Sequence, residues 1–241
     1  MKLLFDMHTH ILPRVDDGAK SIEESLILIN RLRRAGVTDI CLTPHYYTHK
    51  ESLSDFVNRR NKAFAELSSY VNGDVSLHLG AEVFVTKYLF SNDEDLKSVC
   101  YSGTKCMLTE FPYSSTFEGE SMVLMNKLIS NYDITPVLAH VERYPYLLKH
   151  PGKIEELIDM GIIIQSNACS FTEFPLKLKL TKLLRNGYIG VIGSDTHSLS
   201  RNSPDAFSLL NEHISKKLNQ SIISDINTLS GEILNLTQTS L

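Results

Sequence analysis

The chain has no tryptophan, only four cysteines, and just eight prolines and twelve glycines in 241 residues. So little glycine and proline, without a repeat, excludes collagen-like and low-complexity sequences. Cys41, Cys100, Cys106 and Cys169 form no C-x-x-C pair, which argues against a disulfide framework and fits thiols of a reducing compartment. A cysteine-based phosphatase also needs an arginine six positions after its nucleophile, and those positions are Tyr47, Cys106, Pro112 and Pro175. A P-loop is missing too, because Gly152-Lys153 has Leu147 where the first glycine belongs, and Gly187, Gly190 and Gly193 are wrongly spaced for a dinucleotide fingerprint. Basic residues are in deficit, 24 Lys and Arg against 28 Asp and Glu, so a nucleic-acid partner is not expected. No apolar run approaches membrane-spanning length, and the opening Met1-Lys2-Leu3-Leu4-Phe5 turns polar at Asp6, too soon for a secretory leader. A cytoplasmic location without membrane insertion is the expectation.

What is present is ordinary globular composition, 42% hydrophobic and 22% charged, in a length that suits one core. A single domain over residues 1–241 is expected, since α/β barrels often run to about 250 residues. Seven short apolar or β-branched runs, 3–7, 39–43, 76–80, 106–109, 135–139, 162–165 and 189–192, alternate with amphipathic stretches. That alternation predicts a parallel α/β sheet. Helices are expected over 22–34, behind a Ser21-x-x-Glu24 capping box, and over 56–71, 122–132, 154–160, 176–186, 206–218 and 222–236, with a polar tail to 241. Gly36, Gly73, Gly161 and Gly187 stand where helices should stop.

The chemistry lies in how the runs end. Run one ends in Asp6-Met7-His8-Thr9-His10, run two in Thr43-Pro44-His45, run three in Gly80-Ala81-Glu82, and run four in Thr109-Glu110. Run five ends in Ala139-His140-Val141-Glu142-Arg143 and run seven in Ser194-Asp195-Thr196-His197. In a closed parallel barrel these ends meet on one face. A single histidine or glutamate at a strand end is usually a core or rim residue, but six ends carrying metal-type ligands are not explained that way. His8 and His10, two apart on an extended strand, point to the same side and can reach one ion, and Asp195 and His197 share that spacing. Asp6 is expected to orient a histidine ring, as metal-bound imidazoles require. Asp16-Asp17-Gly18 reads either as a turn or as a carboxylate source for the same face. His49, His78, His150 and His213 have no such context and are expected to be surface or core residues.

With Val15-Asp16-Asp17-Gly18, Thr43-Pro44-His45, Gly80-Ala81-Glu82 and His140-x-Glu142-Arg143-Tyr144 in place, the chain resembles the polymerase and histidinol phosphatase (PHP) superfamily. Within it, the resemblance is to the bacterial metal-dependent tyrosine-protein phosphatases of capsule and exopolysaccharide systems, the CpsB/YwqE type. It implies a distorted seven-stranded (β/α) barrel and three divalent metal ions, manganese first, with iron or zinc also compatible with mixed His and carboxylate ligands. By the same resemblance His8, His10, Glu82 and Asp195 hold one ion, and Glu82 bridges to a second held by Glu110 and His140. Asp17, His45 and His197 hold the third. Arg143 matches one phosphate-binding arginine of the family. Arg201 matches the other less closely, since Leu199-Ser200-Arg201 is one residue shorter than the family pattern.

The implied activity is hydrolysis of a phosphotyrosine protein by a metal-activated hydroxide, and the implied partner is a bacterial tyrosine kinase. Four carboxylates against three divalent ions leave a surplus of two positive charges, which suits a phosphomonoester dianion. A histidinol-phosphate phosphatase would use the same site, and is the alternative within the superfamily. An amidohydrolase is disfavoured because Glu110 stands where that chemistry commonly uses a lysine.

Overall fold

The structure is a computed structural model that describes residues 1–71, 73–91 and 95–236. In chain order its regular elements are β1 (Phe5–Thr9), α1 (Ile22–Ala35), β2 (Asp39–Leu42), β3 (His45–Tyr46), α2 (Leu53–Ser68), β4 (Ser76–Leu79) and β5 (Glu82–Phe84). There follow β6 (Cys106–Glu110), α3 (Gly119–Tyr132), β7 (Thr135–Leu138), α4 (Pro145–Lys149), α5 (Pro151–Asp159) and β8 (Ile163–Asn167). The chain continues through α6 (Leu176–Arg185), β9 (Val191–Gly193), α7 (Ala206–Lys217) and α8 (Ser221–Ile233). The tail expected after residue 236 lies outside the described residues.

All strand pairs are parallel, in one sheet of order β1-β2-β4 and a second of order β3-β5-β6-β7-β8-β9. The fold is therefore α/β with a curled parallel sheet, as the alternating runs required. Each of the seven runs coincides with a strand, but two of them continue into a further short strand that the sequence reading did not separate. The reason is local. Pro44 has no N–H to give to a ladder, so β2 stops before it and β3 starts after it on new partners. Strand β4 likewise ends before Gly80-Ala81, where the Gly80 N–H still donates to Leu42 O at 2.9 Å, and the register beyond it places His45 directly beside Glu82, and Phe84 beside Glu110.

The two sheets also meet at the first and last strands. Thr9 bridges Thr196 in parallel, the N–H of Asp195 donates to His8 O at 2.7 Å, and the N–H of His10 donates to Thr196 O at 2.9 Å. Gly193 makes this approach possible, because a Cβ there would lie 2.4 Å from His8 Cβ. Leucines, isoleucines and valines of the inner helix faces and strands, Leu28, Leu32, Ile40, Val83, Leu138, Ile164 and Leu210 among them, form the buried core that holds the strand ends in place.

Helix boundaries follow side-chain chemistry. Ser21 caps α1 by accepting from Glu24 N–H at 3.2 Å, and Gly36 closes it in the left-handed region, at φ 103°. The carboxylate of Glu24 binds Lys20 N–H rather than the cap residue, so the expected box is only half made. Helix α2 starts earlier than expected because Ser52 caps it, and it ends at Ser68, so Gly73 is not its stop.

Candidate metal centre

Eight of the nine residues assigned by resemblance to metal binding lie at strand ends, and Asp17 comes from the loop before α1. They meet in one pocket. His8 Nε2 and His10 Nε2 are 3.0 Å apart, and Glu82 Oε2 lies 3.3 Å from the first and 3.2 Å from the second. Asp195 Oδ1 is 3.6 Å and 3.3 Å from the same two nitrogens. The other oxygen of Glu82 is 2.8 Å from His140 Nε2, which is itself 3.5 Å from Glu110 Oε1. On the outer side Asp17 Oδ1 is 3.6 Å from His45 Nε2 and 3.5 Å from His197 Nε2. Glu82 is thus the hub, with His45 Nδ1 also 2.8 Å from Oε2. Among the described residues three groups of side chains have their donor atoms close enough to hold an ion: His10, Asp17, His45 and His197; His8, His10 and Glu82; and His45, Glu82 and Glu110; Asp195 and His140, expected as ligands, border these groups but belong to none of them. His49, His78, His150 and His213 belong to none of them. His78 instead pairs with Asp39 at 2.8 Å, and His213 meets Thr181 at 2.9 Å.

A surrounding layer fixes the rings. Asp16 Oδ2 binds His10 Nδ1 at 2.6 Å and His45 N–H at 3.0 Å, while its other oxygen takes Gly18 N–H at 2.9 Å. Neighbouring carboxylates therefore divide the work: Asp16 orients the imidazole and Asp17 faces the pocket. Gly18 is required for this loop, since a Cβ there would fall 1.7 Å from His10 O. Gln165 Oε1 accepts from His140 N–H at 2.6 Å and lies 3.3 Å from His8 Nδ1. His197 Nδ1 is 2.7 Å from Asp195 O. Each of these contacts occupies one ring nitrogen of His8, His10 or His197 and leaves Nε2 for the pocket.

Asp6, expected to orient a ring, does something else. It accepts from the N–H groups of Ser194 at 2.8 Å and His8 at 3.3 Å, and so ties the backbone of β1 to the segment after β9. Its side chain points to the same face of β1 as His8, but the imidazole's partner is Gln165, from a strand far off in sequence. Asp16 is thus a carboxylate source for this face, as one reading of Asp16-Asp17-Gly18 has it, whereas nothing in the sequence marks Gln165, Asn167 or Asn202. Asn167 and Asn202 donate to Asp195 Oδ2 at 3.0 Å and 2.9 Å. Asx and amide side chains at strand ends are too common for their pattern alone to mark them.

Two residues in the pocket occupy backbone conformations uncommon for side-chain-bearing residues, His140 at φ 35° and Asp195 at φ 54°. Such conformations cost free energy and persist where surrounding contacts fix them, often at functional sites.

The arginines lie on the rim. Arg143 donates to Asp195 Oδ2 and, at 3.1 Å, to Tyr113 Oη. Tyr113 in turn donates to Glu110 Oε1 at 2.6 Å. Arg201 donates to Asp17 Oδ2. Glu142, next to Arg143 in sequence, and Asp133, before β7, do not pair with it. Glu142 accepts from Asn167 N–H, Ser166 and Ser170, and Asp133 pairs with Lys97 and Lys105.

The electrostatics are those of a cation site. Burial by itself would drive protons off His8 and His10, yet Glu82 and Asp195 hold His8 above its ordinary value, and Asp16 chiefly does so for His10. Burial would likewise protonate Glu82 and Asp195, but the surrounding histidines hold both below the carboxylate range. Desolvation, then His10, pushes His197 down to about 4. Desolvation and the bond to Glu110 push the Tyr113 phenol up to about 12. His45 Nδ1 and Glu82 Oε2, although 2.8 Å apart, are buried and not aligned for a hydrogen bond, and His197 Nε2 is buried without a hydrogen-bond partner, 3.5 Å from Asp17. An unpaired buried polar atom costs about 1–3 kcal/mol, so a cluster of them fits divalent cations.

This arrangement defines a class: a parallel α/β protein with a nest of metal-type ligands at the carboxyl ends of its strands and arginines on the rim. The chain matches the family described as capsular polysaccharide synthesis, CpsB/CapC, over residues 4–234, and it belongs to that family. It is 31% identical over 215 residues to the tyrosine-protein phosphatase CpsB of Streptococcus pneumoniae, a match that covers 83% of this chain and 86% of the relative. It is 24% identical over 206 residues to the tyrosine-protein phosphatase YwqE of Bacillus subtilis, covering 81% of this chain and 78% of the relative. Its fold is that of crystal structures of YwqE and CpsB described as unique metal-dependent tyrosine phosphatases, with a TM-score of 0.77 at 22% identity over 96% of this chain and 94% of that one.

Proposed function

We propose that this protein is a metal-dependent protein-tyrosine phosphatase that acts on a phosphotyrosine protein, a bacterial tyrosine kinase among the candidates, in capsular polysaccharide synthesis. The observation that carries the reading is the hub at Glu82, whose buried carboxylate has ring nitrogens of His8, His10, His45 and His140 within 3.3 Å. Membership of the CpsB/CapC family and the relatives named tyrosine-protein phosphatases support it.

Three divalent ions, with manganese preferred and iron or zinc compatible, would be held by His8, His10, Glu82 and Asp195, by Glu82, Glu110 and His140, and by Asp17, His45 and His197. When bound, such ions supply Lewis acidity and a water acidified to a pKa near 7. The remaining work falls to the chain. Asp16 and Gln165 hold His10 and His8 in orientation, and Arg143 and Arg201 clamp the phosphate oxygens and stabilise the charge that develops on them. Both guanidiniums already reach the carboxylates Asp195 and Asp17, so a phosphate seated over those groups lies within their range.

The same reading takes residues 1–241 as one domain and the two sheets as a distorted seven-stranded (β/α) barrel. Closure is supported by the Thr9 to Thr196 bridge, and the count of seven by treating β2 with β3, and β4 with β5, as interrupted single strands. None of the helices among the described residues is long and apolar enough to cross a membrane, which is compatible with the proposed cytoplasmic location.

The test is phosphate release from a phosphotyrosine peptide, a phosphoserine peptide and histidinol phosphate, side by side with manganese and then with a chelator. Preference for phosphotyrosine, abolished by chelation, is expected. Release only from histidinol phosphate, or release unaffected by chelation, overturns the reading.

A further inference from the structure

Tyr113 belongs to no ligand set or phosphate clamp described above, yet it touches one member of each. Its hydroxyl has a single proton, and Glu110 Oε1 is acceptor-only when ionised, so the 2.6 Å contact consumes that proton. A guanidinium has no acceptor, so at 3.1 Å the phenol oxygen must accept from Arg143 Nη1. The two bonds therefore have one direction, Arg143 to Tyr113 to Glu110. They span two loops, one after β6 and one after β7, and the ring beneath the hydroxyl is braced edge-on against His140 and Tyr144, at centroid distances of 5.7 Å and 5.9 Å. Arg143 has one other side-chain anchor in the pocket, Asp195 Oδ2.

We propose that Tyr113 is a positioning residue that sets the orientation of the Arg143 guanidinium for phosphate, acting through its hydroxyl from the carboxylate of Glu110. The proposal rests on the phosphatase reading above. A long arginine side chain with one anchor swings about it, while a second bond at a fixed angle to the first holds the planar fork. Less ordering is then left to occur when phosphate binds. The residue is set against the phosphate group rather than the peptide, so its effect should be the same for any phosphomonoester.

The experiment uses metal-replete full-length protein and four forms: wild type, Tyr113→Phe, Arg143→Ala and the double variant. Metal content is measured by elemental analysis and inorganic phosphate affinity by calorimetry, alongside kcat and KM for a phosphotyrosine peptide. Tyr113→Phe keeps the ring and is expected to retain its metal, to bind inorganic phosphate about 3-fold to 10-fold more weakly, and to raise KM by a similar factor. In the Arg143→Ala background the same change should have no further effect, because the group it orients is gone. Equal phosphate affinity in wild type and Tyr113→Phe overturns the proposal, and so does an effect of undiminished size in the Arg143→Ala background. Loss of metal from Tyr113→Phe also overturns it, since Tyr113 would then be serving Glu110. A wild type that binds metal and phosphate but releases none from any phosphomonoester refutes the phosphatase reading instead, and the calorimetric comparison still decides the role of Tyr113.

Discussion

Arg143, from the turn after β7, donates to Oδ2 of Asp195, from the segment after β9, so a rim cation and a carboxylate of the pocket floor are direct partners although 52 residues apart. The same oxygen accepts from Asn167 and Asn202. Asp195 therefore keeps its two amide hydrogen bonds if Arg143 is removed. Arg143→Ala should fold and keep its metal, yet lose about 2 to 4 kcal/mol of transition-state stabilisation, comparable to deleting a preorganised oxyanion donor. That is about 30-fold to 1000-fold in rate. Arg143→Lys should recover only part of it, because a point charge cannot replace a bidentate fork. Steady-state turnover of a phosphotyrosine peptide by metal-replete protein checks this.

His8→Ala and Asp195→Asn each remove a donor from the most buried part of the pocket, and should lower the metal recovered with the purified protein. His150→Ala and His213→Ala should leave metal and turnover unchanged, since neither ring is among those that meet Glu82 and Asp195, and His213 meets Thr181 instead. Elemental analysis of the four variants decides it. Equal occupancy in all four would remove the pocket as the metal site.

Asp16→Asn tests the layer behind the pocket. The carboxylate accepts from the His10 ring and from the Gly18 and His45 backbone, and an amide can replace only part of this. Metal affinity should fall about 10-fold to 100-fold, the usual effect of losing such a partner. Competition with a chelator of known affinity measures the shift.

Thiol chemistry should be irrelevant to turnover. Burial raises all four cysteines, Cys100 to about 12 and Cys169 to about 11, so little thiolate is present at neutral pH. Replacing all four by Ala or Ser should leave turnover within about tenfold, provided the fold survives. Loss of activity on Cys169→Ser alone, with metal content and folding intact, would contradict this.

Gly18→Ala should be among the most damaging small substitutions outside the pocket. The added Cβ would lie 1.7 Å from a backbone oxygen of His10, so the loop that carries Asp16 and Asp17 must move. We expect a stability loss of about 1–3 kcal/mol with lowered metal affinity. Gly103→Ala has open space for its Cβ, although its φ of 77° strains an alanine, so its loss should not extend to metal affinity. Thermal denaturation and metal titration distinguish the two.

Much of this was legible in the sequence because it is short-range. Alternating runs and helical periods fix where strands and helices form, and a ligand two positions from another on a strand faces the same way. His8 with His10, and Asp195 with His197, follow from that spacing, as does the position of Glu110 and His140 at strand ends. The interruptions at Pro44 and Gly80-Ala81 are equally local, but their consequence is not. Only the re-pairing of β3 with β5 puts His45 beside Glu82.

What the sequence by itself determined, then, is the set of residues offered at the carboxyl ends of the strands and the chemistry they can do. The tertiary structure decided which atom of each residue faces the pocket. Asp6 illustrates the difference: its place beside His8 suggested an imidazole partner, but closure of β1 onto the segment after β9 brings it the N–H of Ser194, and Gln165 arrives from β8 for the ring. Asp16 and Asp17 are adjacent acids whose separate roles come from the turn that Gly18 allows. The physical reason is the same in each case. Spacing along a strand fixes a side chain's direction, whereas its hydrogen-bond partner is set by whichever distant segment the packed core holds within about 3 Å of it.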